Sequence, residues 1–180
     1  MAKNQADDSF VRGKYKEAFS VYEKMEKMGV KDEELEAAIR FQQGYCRFKE
    51  KRNSDALSIW SRMRSYYPKS SYAPKSLLLE ADDPGSAGKA VRLYDEILSK
   101  YPVSEEAATI LEKRGQQAFD RKDYKEAQEN WKRLVMDFPV HAHLTEVQNK
   151  LETVELVLGG DRVAQTPSAA GVAELGAVKQ

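Results

Sequence analysis

The stretch Ala56-Leu57-Ser58-Ile59-Trp60-Ser61-Arg62-Met63-Arg64-Ser65-Tyr66-Tyr67-Pro68 decides the fold, because its pattern recurs. Its small residue, the large aromatic four positions on and the closing proline return as Ala90, Tyr94 and Pro102, and again as Ala127, Trp131 and Pro139. The closures Tyr67-Pro68, Tyr101-Pro102 and Phe138-Pro139 stand 34 and then 37 residues apart. Proline cannot continue a helix and pushes the residue before it into extended backbone, so each closure marks a helix end. A small residue four positions before an aromatic lies on the same helical face: the first lets a neighbouring helix approach, and the second fills the gap beside it.

Upstream, Ala18 and Tyr22 repeat the pair, and Gly13-Lys14-Tyr15-Lys16-Glu17-Ala18 echoes Lys122-Asp123-Tyr124-Lys125-Glu126-Ala127. Phe10, Phe48 and Phe119 lie eight residues before Ala18, Ala56 and Ala127, and Gly44 and Gly115 lie twelve before the latter two. These residues set a first helix ahead of each second helix. The expected packing set is therefore Ala18, Tyr22, Gly44, Ala56, Trp60, Ala90, Tyr94, Gly115, Ala127 and Trp131. The first helix of the third unit is short, about Tyr72 to Ala81, because Asp82-Asp83-Pro84-Gly85 ends it.

Beyond Pro139, Leu144, Val147, Leu151, Val154 and Leu158 make one apolar stripe, which predicts a capping helix over about 140–158, stopped by Gly159-Gly160. Residues 159–180 hold few large apolar groups and are read as a flexible tail behind a helical domain spanning 1–158. About twelve residues precede Gly13, so the opening unit is expected to be either a frayed helix or a cut from a longer protein.

This pattern resembles the tetratricopeptide repeat, a helix–turn–helix unit of about 34 residues with small residues at the helix contacts and a closing proline. The resemblance covers about residues 6 to 158. It implies an all-α, right-handed α-solenoid of about four such units with the capping helix at its end. Arg40, Gln43 and Arg47 depart from it, standing where the family usually packs large apolar residues. The junctions Tyr67-Pro68-Lys69-Ser70-Ser71-Tyr72-Ala73 and Tyr101-Pro102-Val103-Ser104-Glu105-Glu106-Ala107 look like those of bacterial cell-envelope members of the family, such as the Tol–Pal coordinator and the lipoproteins of the outer-membrane β-barrel assembly machinery. That likeness implies a periplasmic or outer-membrane-associated address, with the cytoplasm as the alternative.

The 180 residues carry 29 Lys plus Arg against 29 Asp plus Glu, so the chain lacks the overall basic excess of a dedicated nucleic-acid binder. Met1 to Asp8 is polar, unlike a signal peptide, and no apolar run reaches the roughly 18 residues of a membrane span. Catalysis needs convergent groups, and few are present. A lone Cys46 reads as a small core residue. Gly85-Ser86-Ala87-Gly88-Lys89 lacks the spacing and the preceding strand of a phosphate loop and reads as a turn. His141 and His143 lie two apart, which on a helix sends their rings to opposite sides, so neither a metal nor a cofactor is assigned.

Phe41, Tyr45 and Phe48 share one helical face, and the resemblance places them, with Tyr72, along a groove. The same stripe also reads as the core face of its helix. Between Ala37 and Ser76, nine basic residues oppose two acidic ones, a local +7 that includes Lys49 and Arg52. The expected function is a non-catalytic scaffold that binds an extended segment or helix of another protein through Phe41, Tyr45, Phe48, Tyr72, Lys49 and Arg52. Binding of an anionic surface or nucleic acid through the basic second unit is one alternative, and self-association as a structural module is the other.

Overall fold

The computed structural model describes residues 2–165, with side chains over 3–159, and all regular structure among them is helical. Among the described residues nine α-helices run in order: α1 (Ala2–Val11), α2 (Tyr15–Met28), α3 (Glu33–Lys49), α4 (Asn53–Tyr66), α5 (Tyr72–Ala81), α6 (Ala90–Lys100), α7 (Glu105–Asp120), α8 (Tyr124–Asp137) and α9 (Leu144–Gln165). A 3-10 helix, Pro84–Lys89, links α5 to α6 and absorbs the glycine-rich stretch. The chain divides into two compact units, residues 1–107 and Ala108 onward.

Within the first unit each helix packs on the next, so α1–α2, α3–α4 and α5–α6 form successive hairpins. Helix α3 shows why these helices stack instead of closing into a single bundle. One side buries Ile39 and Cys46 against Ala6, Ala18 and Tyr22, and the other buries Ala37 and Phe41 against Ala56, Trp60 and Met63. A helix apolar on two sides must be covered by a neighbour on each, and every fully buried large side chain contributes roughly 1.5–3 kcal/mol.

Hairpin closure is a single device used three times. Gly13, Lys51 and Lys122 all have left-handed backbone, with φ of 73°, 63° and 64°. The residue after each donates its N–H five residues back, Lys14 to Ser9, Arg52 to Arg47 and Asp123 to Ala118, at 2.8–2.9 Å. This bond satisfies a carbonyl that the helix end would leave orphaned and turns the chain sharply into the second helix. The second helices α4, α6 and α8 also end alike: Tyr67, Tyr101 and Phe138 have φ of −127°, −129° and −131° and donate to Met63, Ile97 and Leu134.

Helices approach closely at Gly44 and Gly115. A Cβ on Gly44 would stand 2.3 Å from Trp60 Nε1, and one on Gly115 would stand 2.2 Å from Trp131 Nε1, so only glycine fits beneath either indole. In the first hairpin Ala6 occupies the equivalent place, buried with the smaller ring of Tyr22. Ala18, Ala56 and Ala127 are fully buried beside these rings.

The third hairpin departs from the expected register. Ala90 and Tyr94 are only half-buried, and Leu93 and Ile97 form the core face of α6 instead. Leu78 stands twelve residues before Ala90, where the other hairpins have Gly44, Gly115 or Ala6, and its bulk leaves no slot for a ring. Tyr94 turns its hydroxyl to Asp82 at 2.5 Å.

In the second unit α8 packs on α9. Val147 and Val154 are fully buried, whereas Leu156 and Val157 of the same helix are exposed. The expected stop at Gly159-Gly160 is not observed, since α9 continues through both glycines to Gln165. The rest of the expected tail, residues 166–180, lies outside the described residues.

Candidate functional site

Successive hairpins bring their first helices side by side, and α1, α3 and α5 carry a chain of aromatic rings from one to the next. Tyr15 meets Phe10 edge-on at 5.2 Å between ring centres, Phe10 stacks on Tyr45 at 5.2 Å, Tyr45 meets Phe41 at 5.9 Å, and Phe41 meets Tyr72 at 5.2 Å. These separations fall in the range where ring pairs attract beyond simple burial. Depth grades along the strip. Phe41 is buried against Trp60 at 5.9 Å, and Phe48 leans on the same indole at 5.6 Å. Phe10, Tyr45 and Tyr72 are half-buried and keep part of their rings at the surface. Phe41 thus belongs to the core, while Tyr45, Tyr72 and Phe48, each half-buried against it, form the surface of the strip.

Two ammonium groups flank that surface. Lys49 Nζ lies 5.2 Å from the Tyr45 ring centre, and Lys75 Nζ lies 5.3 Å from that of Tyr72. A cation at this distance is attracted to the ring face and stays available to an incoming carboxylate. Arg52 lies beside Asp55 in the first turn of α4, at 2.7 Å, with both side chains exposed.

Much of the remaining positive charge is consumed locally. Arg40 bridges Glu26 at 3.0 Å and Glu36 at 3.1 Å, Arg64 holds Glu80 at 2.8 Å, and Arg47 pairs with Glu50 while lying 3.5 Å from the ring centre of Phe19. Gln43 completes the set by donating to Glu26 at 2.7 Å. Arg40, Gln43 and Arg47, the three departures from apolar packing, are therefore the polar side of the α2–α3 contact. Stems of long cationic side chains cover apolar surface as well as carrying charge.

The end of the strip at α1 is anchored electrostatically. Burial alone would raise the Asp7 carboxyl, but hydrogen bonds from Lys3 and Tyr22 outweigh it and hold the pKa below the ordinary value. For Tyr22 burial leads, with the Asp7 hydrogen bond adding to it, and its pKa is raised. Cys46 offers no nucleophile, since burial first and then Glu50 push its thiol up to about 12.

The second unit repeats this frame with different chemistry. Positions offset by 71 residues correspond: Gly44 to Gly115, Phe48 to Phe119, Lys51 to Lys122 and Trp60 to Trp131. The Phe119–Trp131 ring pair lies at 5.7 Å and 39°, against 5.6 Å and 40° for Phe48–Trp60. The same offset carries Phe41 to Glu112, Ser70 to His141 and Tyr72 to His143. The two histidines do not stand on a helix, as the opposite-sides argument assumed. They lie in the turn before α9, and both face Glu112 on α7: His141 Nε2 is 2.9 Å from Oε2, and His143 Nδ1 is 3.0 Å from Oε1. Each residue was visible in the sequence, but the convergence was not, because it needed the 71-residue register instead of local helical spacing.

The tetratricopeptide repeat family model matches residues 38–70, which hold most of α3, all of α4 and the junction up to Ser70. The architecture throughout the described residues is that of tetratricopeptide-like helical hairpins. No curated protein matches the chain.

Proposed function

We propose that the chain is a non-catalytic interaction module that binds a segment of another protein along the aromatic strip of α1, α3 and α5. The observation that carries this reading is the ring chain Phe10–Tyr45–Phe41–Tyr72, with Lys49 and Lys75 beside its two surface tyrosines. Rigid, half-exposed aromatic rings set in a firm frame are what anchor residues of a partner dock against, and flanking cations select for acidic neighbours. The favoured ligand is an extended or helical segment with an aliphatic or aromatic anchor next to Asp or Glu.

The basic patch argues less for nucleic acid than its sequence sum suggests, because Arg40 and Arg64 hold carboxylates that lie outside the stretch summed, Glu26, Glu36 and Glu80. A cell-envelope setting is part of the proposal only through the Tyr-Pro-x-Ser junctions, and fractionation of the native protein tests it.

Peptide-display selection against the full chain tests the binding reading. Selected peptides should share an apolar anchor beside an acidic residue. Tyr45→Ala should weaken them about tenfold or more, chiefly through faster dissociation, with the fold retained by thermal melting. Lys49→Glu with Lys75→Glu should slow association and reduce its dependence on salt. Selection of no common motif, or full affinity in both folded variants, would overturn the proposal. Tight, steeply salt-dependent binding to RNA or anionic vesicles in its place would favour the anionic-surface alternative.

A further inference from the structure

We propose that Glu112, His141 and His143 form a binding site for a divalent transition-metal ion of the zinc class. Their donor atoms, one from each residue, lie within 4.8 Å of one another. Imidazole nitrogen and carboxylate oxygen are the ligands zinc takes at about 2.0–2.2 Å, which sets neighbouring donors about 3.3 Å apart around a tetrahedral ion. A single Glu112 oxygen, Oε2, stands 2.9 Å from His141 Nε2 and 3.2 Å from His143 Nδ1, close to that separation, so an ion is accommodated by small adjustments of three side chains whose donors already lie within 4.8 Å. The imidazole rings stand at 81° with centres 5.7 Å apart and approach the carboxylate from different directions. Each neutral ring can turn a lone pair inward by carrying its proton on the opposite nitrogen, so no net oxidation or proton transfer to the protein is needed.

The place these residues hold in the frame is the second support. Two of the three stand where the first unit has an apolar ring contact, Phe41 against Tyr72 at 5.2 Å, and the third stands where it has Ser70. The Phe–Trp contact inside the hairpin is near-identical in the two units, so it does not depend on which residues stand at these three places. Substitution of all three positions by residues that ligate metal, with their donors converged, goes beyond what holding the turn requires. Glu112 and His141 are partly buried, with side chains 27% and 16% exposed, which strengthens their hold on a cation. His143 is 60% exposed, leaving the remaining coordination positions open to water or to a donor from a partner.

The test is calorimetric titration of the untagged full chain with Zn2+ and, separately, Co2+, the cobalt titration also followed by its visible absorption. One ion per chain with a micromolar dissociation constant is expected. His143→Ala should weaken binding by at least the roughly 10- to 100-fold that loss of even an outer partner costs a metal site. A second variant guards against misfolding: Glu112→Phe with His141→Ser and His143→Tyr rebuilds the side chains of the first unit and should fold while binding neither ion. Absence of saturable binding in the parent chain, or unchanged binding in the rebuilt variant, would overturn the proposal.

Discussion

A single hydrogen at Gly44 or Gly115 separates the backbone of a first helix from an indole, and the two tryptophans that use this clearance differ in one bond. Trp60 Nε1 donates to the Phe41 carbonyl at 3.0 Å, whereas Trp131 Nε1 is buried with no acceptor among the described residues. A buried donor left unpaired costs about 1–3 kcal/mol, so removing it recovers part of the loss in ring volume. Trp60→Phe is therefore expected to destabilise more than Trp131→Phe, by about 1–2 kcal/mol in urea unfolding followed with a probe in the unit concerned. Equal costs would show that the Trp60 bond contributes nothing net. The positions of both rings and both glycines were legible as spacings from the prolines, because contact between successive helices forces a fixed register. Tyr94 was not, since a spacing counted from the proline takes no account of Leu78 standing where the other hairpins have glycine or alanine.

Turns and caps carry the next level of organisation. Lys122 adopts a left-handed conformation that costs a side-chain-bearing residue about 1 kcal/mol relative to glycine, and Gly13 fills the same turn without that cost. Lys122→Gly should thus raise stability by up to about 1 kcal/mol, seen as a melting temperature a few degrees higher. At α1, Asp7 has a folded pKa below its unfolded value, so its stabilisation is present above about pH 4 and is lost as pH falls through the lower, folded value. Asp7→Asn should lower stability at neutral pH and flatten the decline on the acid side, and parallel curves for parent and variant would refute the assignment. Element boundaries were legible wherever a proline or an aspartate dictates them. Gly159-Gly160 misled because glycine ends a helix only where the left-handed turn is needed, and otherwise it merely weakens the helix by about 1 kcal/mol per residue.

Across the whole molecule, circular dichroism should report a predominantly α-helical protein, and a strand content near the fifth or more usual for globular domains would contradict the fold. The class of architecture was open to the sequence because each hairpin declares itself locally. Charge was not: summing Ala37 to Ser76 gives +7, yet Arg40 and Arg64 find Glu26 and Glu80 outside that window. Adjacency along the chain is a poor guide to the field a partner meets, because ion pairs form between neighbours in space.

The constant offset of 71 residues also bears on descent. It holds through one hairpin and the junction after it, without a residue gained or lost between Phe41 and Tyr72 and their counterparts Glu112 and His143. Such a constant shift is what a hairpin copied together with its junction leaves, the hairpin of α3 and α4 recurring as that of α7 and α8. Once a copied frame holds itself together through glycine and tryptophan, its outward positions are released from their ancestral duty, and the later block could trade rings for ligands while the earlier one kept its aromatic face.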